Sequence, residues 1–186
     1  MFSARRPSQH TLNEFLARST TRSLSYGDAG LLRRVEAAAL VETTSVIGQG
    51  REDFDRAKAA LKSWRQFELG WVTLLPPAAP IEPGVVVAVC IRHLGFWSLN
   101  GARIVDRAES SEAFGYTYGT LTNHAESGEE LFEVRIDATT SEVVYRICAT
   151  ATPQAALAKM GGPIVRVLQA RFRRDSAAAL RRAVRG

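Results

Sequence analysis

The sequence is poor in residues that announce chemistry by themselves. It has two cysteines in 186 residues, too few for a disulfide scaffold or for a four-cysteine zinc site. No run approaches ~18 consecutive apolar residues, so no membrane-spanning helix is expected. There is no G-x-S-x-G elbow, no C-x-x-C pair and no H-E-x-x-H zinc helix. Gly161-Gly162-Pro163 lacks the lysine and spacing of a phosphate loop and reads as a helix break. No apolar stretch follows Arg5-Arg6, so no signal peptide is expected. These absences give the expectation of a cytoplasmic protein with reduced Cys90 and Cys148, no metal and no cofactor.

What is present is apolar residue and unevenly placed charge. Hydrophobic residues make up 46% of the chain and charged residues 23%, too apolar for a disordered chain and enough for one substantial core. The net charge is +5. Residues 1–22 carry four arginines against one glutamate, and 164–186 carry seven arginines against one aspartate, which leaves the intervening body net acidic. A general nucleic-acid binder spreads basic residues over its folded surface and interleaves them with aromatics. The basic ends read instead as a polar tail and the solvent face of a terminal helix. A contact between that Arg-rich helix and an anionic partner is a weaker reading.

Residues 1–30 are expected to form a basic, partly ordered tail, and 31–186 a single domain. Val41 to Ile47 is β-branched and bounded by Gly48 and Gly50, a strand signature. Phe54, Ala57, Leu61 and Trp64 recur at helical spacing behind Asp53, a candidate cap. Trp71 to Leu75 reads as a short strand, followed by an extended linker with Pro76, Pro77, Pro80 and Pro83. From Gly84 to Pro153 strands follow one another. Val85–Ile91 is a continuous apolar run; a turn is expected at Leu99-Asn100-Gly101; and Phe114, Tyr116 and Tyr118 alternate with small residues and share one face. A helical region broken near Gly161 closes the chain, with Val165, Leu168, Phe172 and Ala179 as its apolar stripe. Short connections favour an antiparallel meander. The expected class is α+β, a helix-grip in which a curved antiparallel sheet wraps a long C-terminal helix.

Several segments match a known family. They include Ala57-Lys58-Ala59-Ala60-Leu61-Lys62-Ser63-Trp64 with Gly70-Trp71-Val72, Pro83-Gly84-Val85-Val86-Val87-Ala88, and Arg103-Ile104-Val105. The most specific stretch runs from Phe114-Gly115-Tyr116-Thr117-Tyr118-Gly119-Thr120-Leu121 through His124-Ala125-Glu126-Ser127-Gly128-Glu129-Glu130-Leu131-Phe132. On these residues the chain resembles uncharacterised protein family 0548, a domain-of-unknown-function family of bacteria and plants. The resemblance implies the START/Bet v 1-like helix-grip superfamily and carries no agreed activity. The family tends to have Pro-Gly before its histidine, where Thr122-Asn123 stand here, and Ser-Arg-Pro after the last strand, where Ala151-Thr152-Pro153 stand.

Two groups of residues are candidates for chemistry. His124, Glu129 and Glu130, with Glu126, place an imidazole among carboxylates, which suits acid–base work or a hairpin held by ion pairs. The histidine lacks the downstream P-C-x-x-C of a zinc deaminase. Trp97, Phe114, Tyr116 and Tyr118, with Trp64 and Trp71, supply aromatic surface for a ligand cavity or for ordinary core. Arg103 stands among apolar strand residues; turned inward it would need a partner such as Glu129 or Glu130, or a ligand carboxylate. The leading expectation is a protein that binds an apolar or amphipathic small molecule between sheet and terminal helix. The alternative is a cyclase, dehydratase or hydrolase using His124 with Glu129 or Glu130 in that cavity.

Overall fold

The structure, a computed structural model, describes residues 2–93, 95–153 and 162–186. Its strands are β1 (Phe2–Ser3), β2 (Val41–Gln49), β3 (Val72–Leu75), β4 (Val86–Arg92), β5 (Trp97–Glu109), β6 (Ala113–Thr120), β7 (Glu126–Ile136) and β8 (Glu142–Pro153). Its helices are α1 (Gln9–Ser19), α2 (Leu31–Arg34), α3 (Gly50–Lys62) and α4 (Gly162–Arg185).

The strands form one antiparallel sheet in the order β2-β8-β7-β6-β5-β4-β3, with β1 added beside β5. From β3 to β8 each strand pairs with the next in sequence, as short connections require. Strand β2 returns to the far side of β8, so α3 leaves one edge of the sheet and the chain re-enters at the other. The period of two sorts the side chains. Val87, Val89, Ile104, Phe114, Tyr116, Phe132, Val134, Tyr145 and Ile147 share the inner face and meet Phe54, Leu61, Leu180 and Val184 of α3 and α4. This is the helix-grip arrangement expected from the sequence, α+β with a curled sheet held on a C-terminal helix.

Helix α3 begins at Gly50, ahead of Asp53, whose carboxylate reaches back to accept the Gln49 N–H at 2.8 Å. Trp64 follows its end in a left-handed conformation (φ 60°) and donates its indole N–H to the Ala79 carbonyl at 2.7 Å. The helical residues expected between Pro153 and Gly161, and the side chain of Val165, lie outside the described residues. Leu168 and Phe172 face the sheet side of α4 as the stripe predicts, joined by Ala177, Leu180 and Val184, while Ala179 is buried along the cleft lined by Ala59 and Ala60 of α3. Several of the helix's arginines are engaged locally: Arg171 and Arg174 with Asp175, and Arg181 with the Val46 carbonyl.

Two expectations are corrected. Strand β5 runs unbroken through Leu99-Asn100-Gly101, which pair with Cys90, Val89 and Ala88 of β4. Gly101 is there for close approach: a Cβ on it would collide with the Asn123 amide and crowd the Ser19 hydroxyl. The segment expected as a partly ordered tail holds an ordered helix, α1. Ser8 accepts the Thr11 N–H and caps α1. Leu12 and Phe15 then pack on the outer face of the sheet against Leu75, Ala88, Cys90 and Leu99, a second small core.

Candidate functional site

A cavity of about 150 Å³ lies between the inner face of the sheet and α4. Its apolar walls come from Trp71, Val89 and Ile91 on the sheet side, from Phe67 in the helical turn after α3, and from Leu168 and Phe172 on α4. Its polar lining comes from Tyr118 on β6, His124 ahead of β7, Glu126 and Glu130 on β7, and Gln169 and Arg173 on α4. Glu126, Gly128 and Glu130 are alternate residues of one strand, so the two carboxyls point the same way. Gly128 between them has no side chain to fill the gap; its backbone is held on both sides by the Thr120 hydroxyl.

The electrostatics of this wall follow from desolvation. Burial pushes the Glu130 carboxyl up to about 7, opposed by the Tyr118 hydroxyl, which donates to it at 2.8 Å, and by Arg173; Glu126 pushes it the same way as burial. Burial also raises Glu126, offset by the Gln169 amide, which donates at 2.7 Å, and by Arg173. Burial lowers His124 to about 4. Its Nδ1 lies 2.9 Å from the Glu126 N–H, a fixed donor, so Nδ1 accepts and the neutral ring carries its proton on Nε2. The Tyr118 hydroxyl is itself raised well above its ordinary value by burial. At neutral pH the cavity therefore holds a neutral imidazole and a carboxyl poised between its two protonation states.

The remaining candidates fall elsewhere. Phe114 and Tyr116 share the inner face with Tyr118 but lie in the packed core: Phe114 is fully buried, and the Tyr116 hydroxyl accepts the Gln66 amide at 2.5 Å. Trp97 faces outward, packed beside the α1 core with the Arg6 guanidinium 5.8 Å from its ring. Arg103 also points outward and donates to the Thr20 and Arg22 carbonyls, tying down the end of α1 at 3.2 and 2.8 Å. It meets neither glutamate. Glu129 is 2% exposed but turns to the outer face, where its carboxylate accepts Tyr26 O–H at 2.8 Å, Gly30 N–H at 2.7 Å and Leu32 N–H at 3.0 Å. It anchors the segment after α1: its backbone borders the cavity, but among the described residues its carboxylate takes its donors from Tyr26, Gly30 and Leu32. Gly119 makes room for that segment, since a Cβ there would overlap the Tyr26 hydroxyl.

Sequence reading missed His93, Ser98, Asn100, Gln169 and Arg173 in the lining. Asn100 is 2% exposed; it donates to Ser98 and accepts the Ala125 N–H at 3.1 Å, joining β5 to the approach to β7. The signal for Gln169 and Arg173 was their four-residue spacing beside Leu168 and Phe172. Among the described residues no group of three or more His, Cys, Asp or Glu is arranged to hold a metal ion, and no helix is long and apolar enough to cross a membrane.

Comparison with known proteins agrees with this architecture. A UPF0548 protein of Dictyostelium discoideum is 36% identical over 149 residues, 74% of this chain and 69% of that one. One from Deinococcus radiodurans is 29% identical over 198 residues, spanning 98% of both chains. Among solved structures, a hypothetical protein of Helicobacter pylori superposes with TM-score 0.56 at 10% identity, covering 86% of this chain and 96% of that chain. Protein XoxI of Bacillus cereus superposes with TM-score 0.53 at 17% identity, covering 78% and 94%. At such identities the structures share the fold alone. The domain family described as "Domain of unknown function (DUF1990)" matches residues 26–179. With that match spanning most of a helix-grip fold, the chain belongs to the DUF1990 family, whose relatives carry the name UPF0548.

Proposed function

We propose that the protein binds a small apolar or amphipathic molecule in the cavity between the sheet and α4. The observation that carries this reading is the combination of aromatic walls with a short row of inward polar groups, Tyr118, Glu126 and Glu130, in a space the core leaves unfilled. A packed interior closes such gaps, because an unfilled space costs its lining the contacts it would otherwise make. Half-buried carboxyls facing it add a desolvation cost that helps nothing in the fold. Both features have a use if a ligand supplies the missing contacts. Native mass spectrometry after mild purification tests this: an extra mass lost on denaturation, or uptake of an added small aromatic molecule, is the expected result. An empty protein that refuses small aromatic probes contradicts it.

Acid–base chemistry on the bound molecule is a second reading, favoured by one observation: a cavity-facing carboxyl raised to about 7. In it Glu130, not His124 or Glu129, holds the transferable proton, and neutral His124 donates a hydrogen bond from Nε2. A turnover rate that bends near pH 7 and is abolished in Glu130→Gln with binding retained is its signature. A rate unchanged in that variant removes it.

A further inference from the structure

We propose that the ligand is an amphipathic amine, whose aromatic or alkyl body lies against Trp71 and Phe172 and whose ammonium sits over Gly128 between the carboxyls of Glu126 and Glu130. The inference rests on the cavity reading above and names the chemistry of its occupant.

The inventory of unspent hydrogen-bonding capacity points this way. Glu130 receives one donor, Tyr118, and Glu126 receives one, Gln169; their remaining oxygens have no donor among the described residues. An ionised carboxylate accepts several hydrogen bonds, so this wall is short of donors. An ammonium brings three. The positive charge also answers the local balance. Arg173 is the cation that faces the two carboxyls from α4, and it forms no ion pair among the described residues. Tyr118 from β6 and Tyr145 from β8 face the same region as neutral hydroxyls, and His124 is neutral. With both carboxylates ionised, the wall carries more negative than positive charge. The aromatic rings lining the body of the cavity suit a cation at its edge as well as an apolar stem. Gly128 is what makes the seat: a side chain there would stand between the two carboxyls on the inner face.

Proton linkage follows from the raised Glu130. Binding an ammonium favours the ionised carboxylate, so the amine competes with the proton on Glu130. With that carboxyl near 7, affinity should rise about tenfold between pH 6 and pH 8, the change in its ionised fraction. A neutral ligand accepting a hydrogen bond from protonated Glu130 would show the reverse.

Three probes with one ring and three head groups separate the possibilities: benzylamine, benzyl alcohol and benzoate, titrated calorimetrically against the full chain at pH 6 and pH 8. The expected result is benzylamine tightest at pH 8, weakened about tenfold at pH 6, and weakened as much in Glu130→Gln at pH 8. Benzyl alcohol binding should survive in that variant, which shows that the cavity is intact. Glu126→Gln should also weaken the amine selectively. If benzyl alcohol or benzoate binds as well as benzylamine at pH 8, the amine assignment is overturned while the cavity reading stands. If none of the three binds, both fall.

Discussion

Carboxylates along the rim of this sheet and carboxylates lining its cavity are treated in opposite ways. On the outer side Glu42 meets the Arg146 guanidinium at 2.9 Å and is held below its ordinary range; Glu109, paired across from Phe114 on the α3 side and ringed by Lys58, Lys62 and Arg107, is likewise held down at about 2. On the inner side Glu126 and Glu130 are driven upward by burial, with only partial compensation. Glu42 and Glu109 are matched within the chain by cations at the water-exposed rim. Glu126 and Glu130 are left half-matched in a cavity. The difference teaches where the fold has finished its own work and where a further partner would complete it.

The comparison can be broken most forcefully through the inner core. Leu180→Ala removes a fully buried side chain of α4 and should destabilise by ~2–5 kcal/mol, read by denaturant unfolding. The outer core should yield less and more locally. Phe15→Ala should cost ~1–3 kcal/mol and accelerate amide exchange in α1 first, with the β6–β7 amides still protected. Next comes the outer anchor. Glu129→Ala strips three donors of their acceptor and should cost ~1–3 kcal/mol, with faster exchange in residues 24–32 and unchanged binding in the cavity. Loss of cavity binding in that variant would erase the division between the faces.

The smallest effect is the most discriminating. A carboxyl whose folded pKa is raised makes the fold bind the proton more tightly than the unfolded chain does. The fold is then penalised progressively as pH climbs from the unfolded value of 4.5 through about 7. Glu130→Gln should therefore raise the melting temperature at pH 8 and leave it unchanged at pH 4, below both values. Carboxylates paired with cations run the other way. Glu42 and Glu109 are lowered, so their contribution is present above the ordinary carboxylate range and is lost as pH falls below it. Glu42→Gln should lower stability slightly at pH 7 and have no effect once the medium is acid enough to protonate the carboxyl in both states.

Much of the architecture was legible in the residue order. The Phe114/Tyr116/Tyr118 alternation and the apolar stripe on the last helix each state a period, and the unbroken apolar run Val85–Ile91 states a strand covered on both faces. The faces were harder to assign. Reading a turn at Leu99-Asn100-Gly101 broke β5 in two and lost its parity, so nothing in the sequence linked Trp97 and Arg103 to the same outward row as Gly101. With parity kept, Ser98, Asn100, Ala102 and Ile104 fall together on the inner face. Glu129 and Glu130 are adjacent and chemically alike, and only register separates an outer anchor from an inner acid. The end segment read as a tail because its apolar residues are few; Leu12 and Phe15 become core only through a partner surface on Ala88, Cys90 and Leu99 that is distant in sequence.

The account stands most directly on a carbon-detected NMR titration of the glutamate side-chain carboxyls in the ligand-free protein. It predicts that Glu130 titrates near 7 while Glu109 stays ionised down to about 2. Both carboxyls titrating together near the ordinary value of 4.5 would contradict it, because the inner wall would then be neither desolvated nor short of partners.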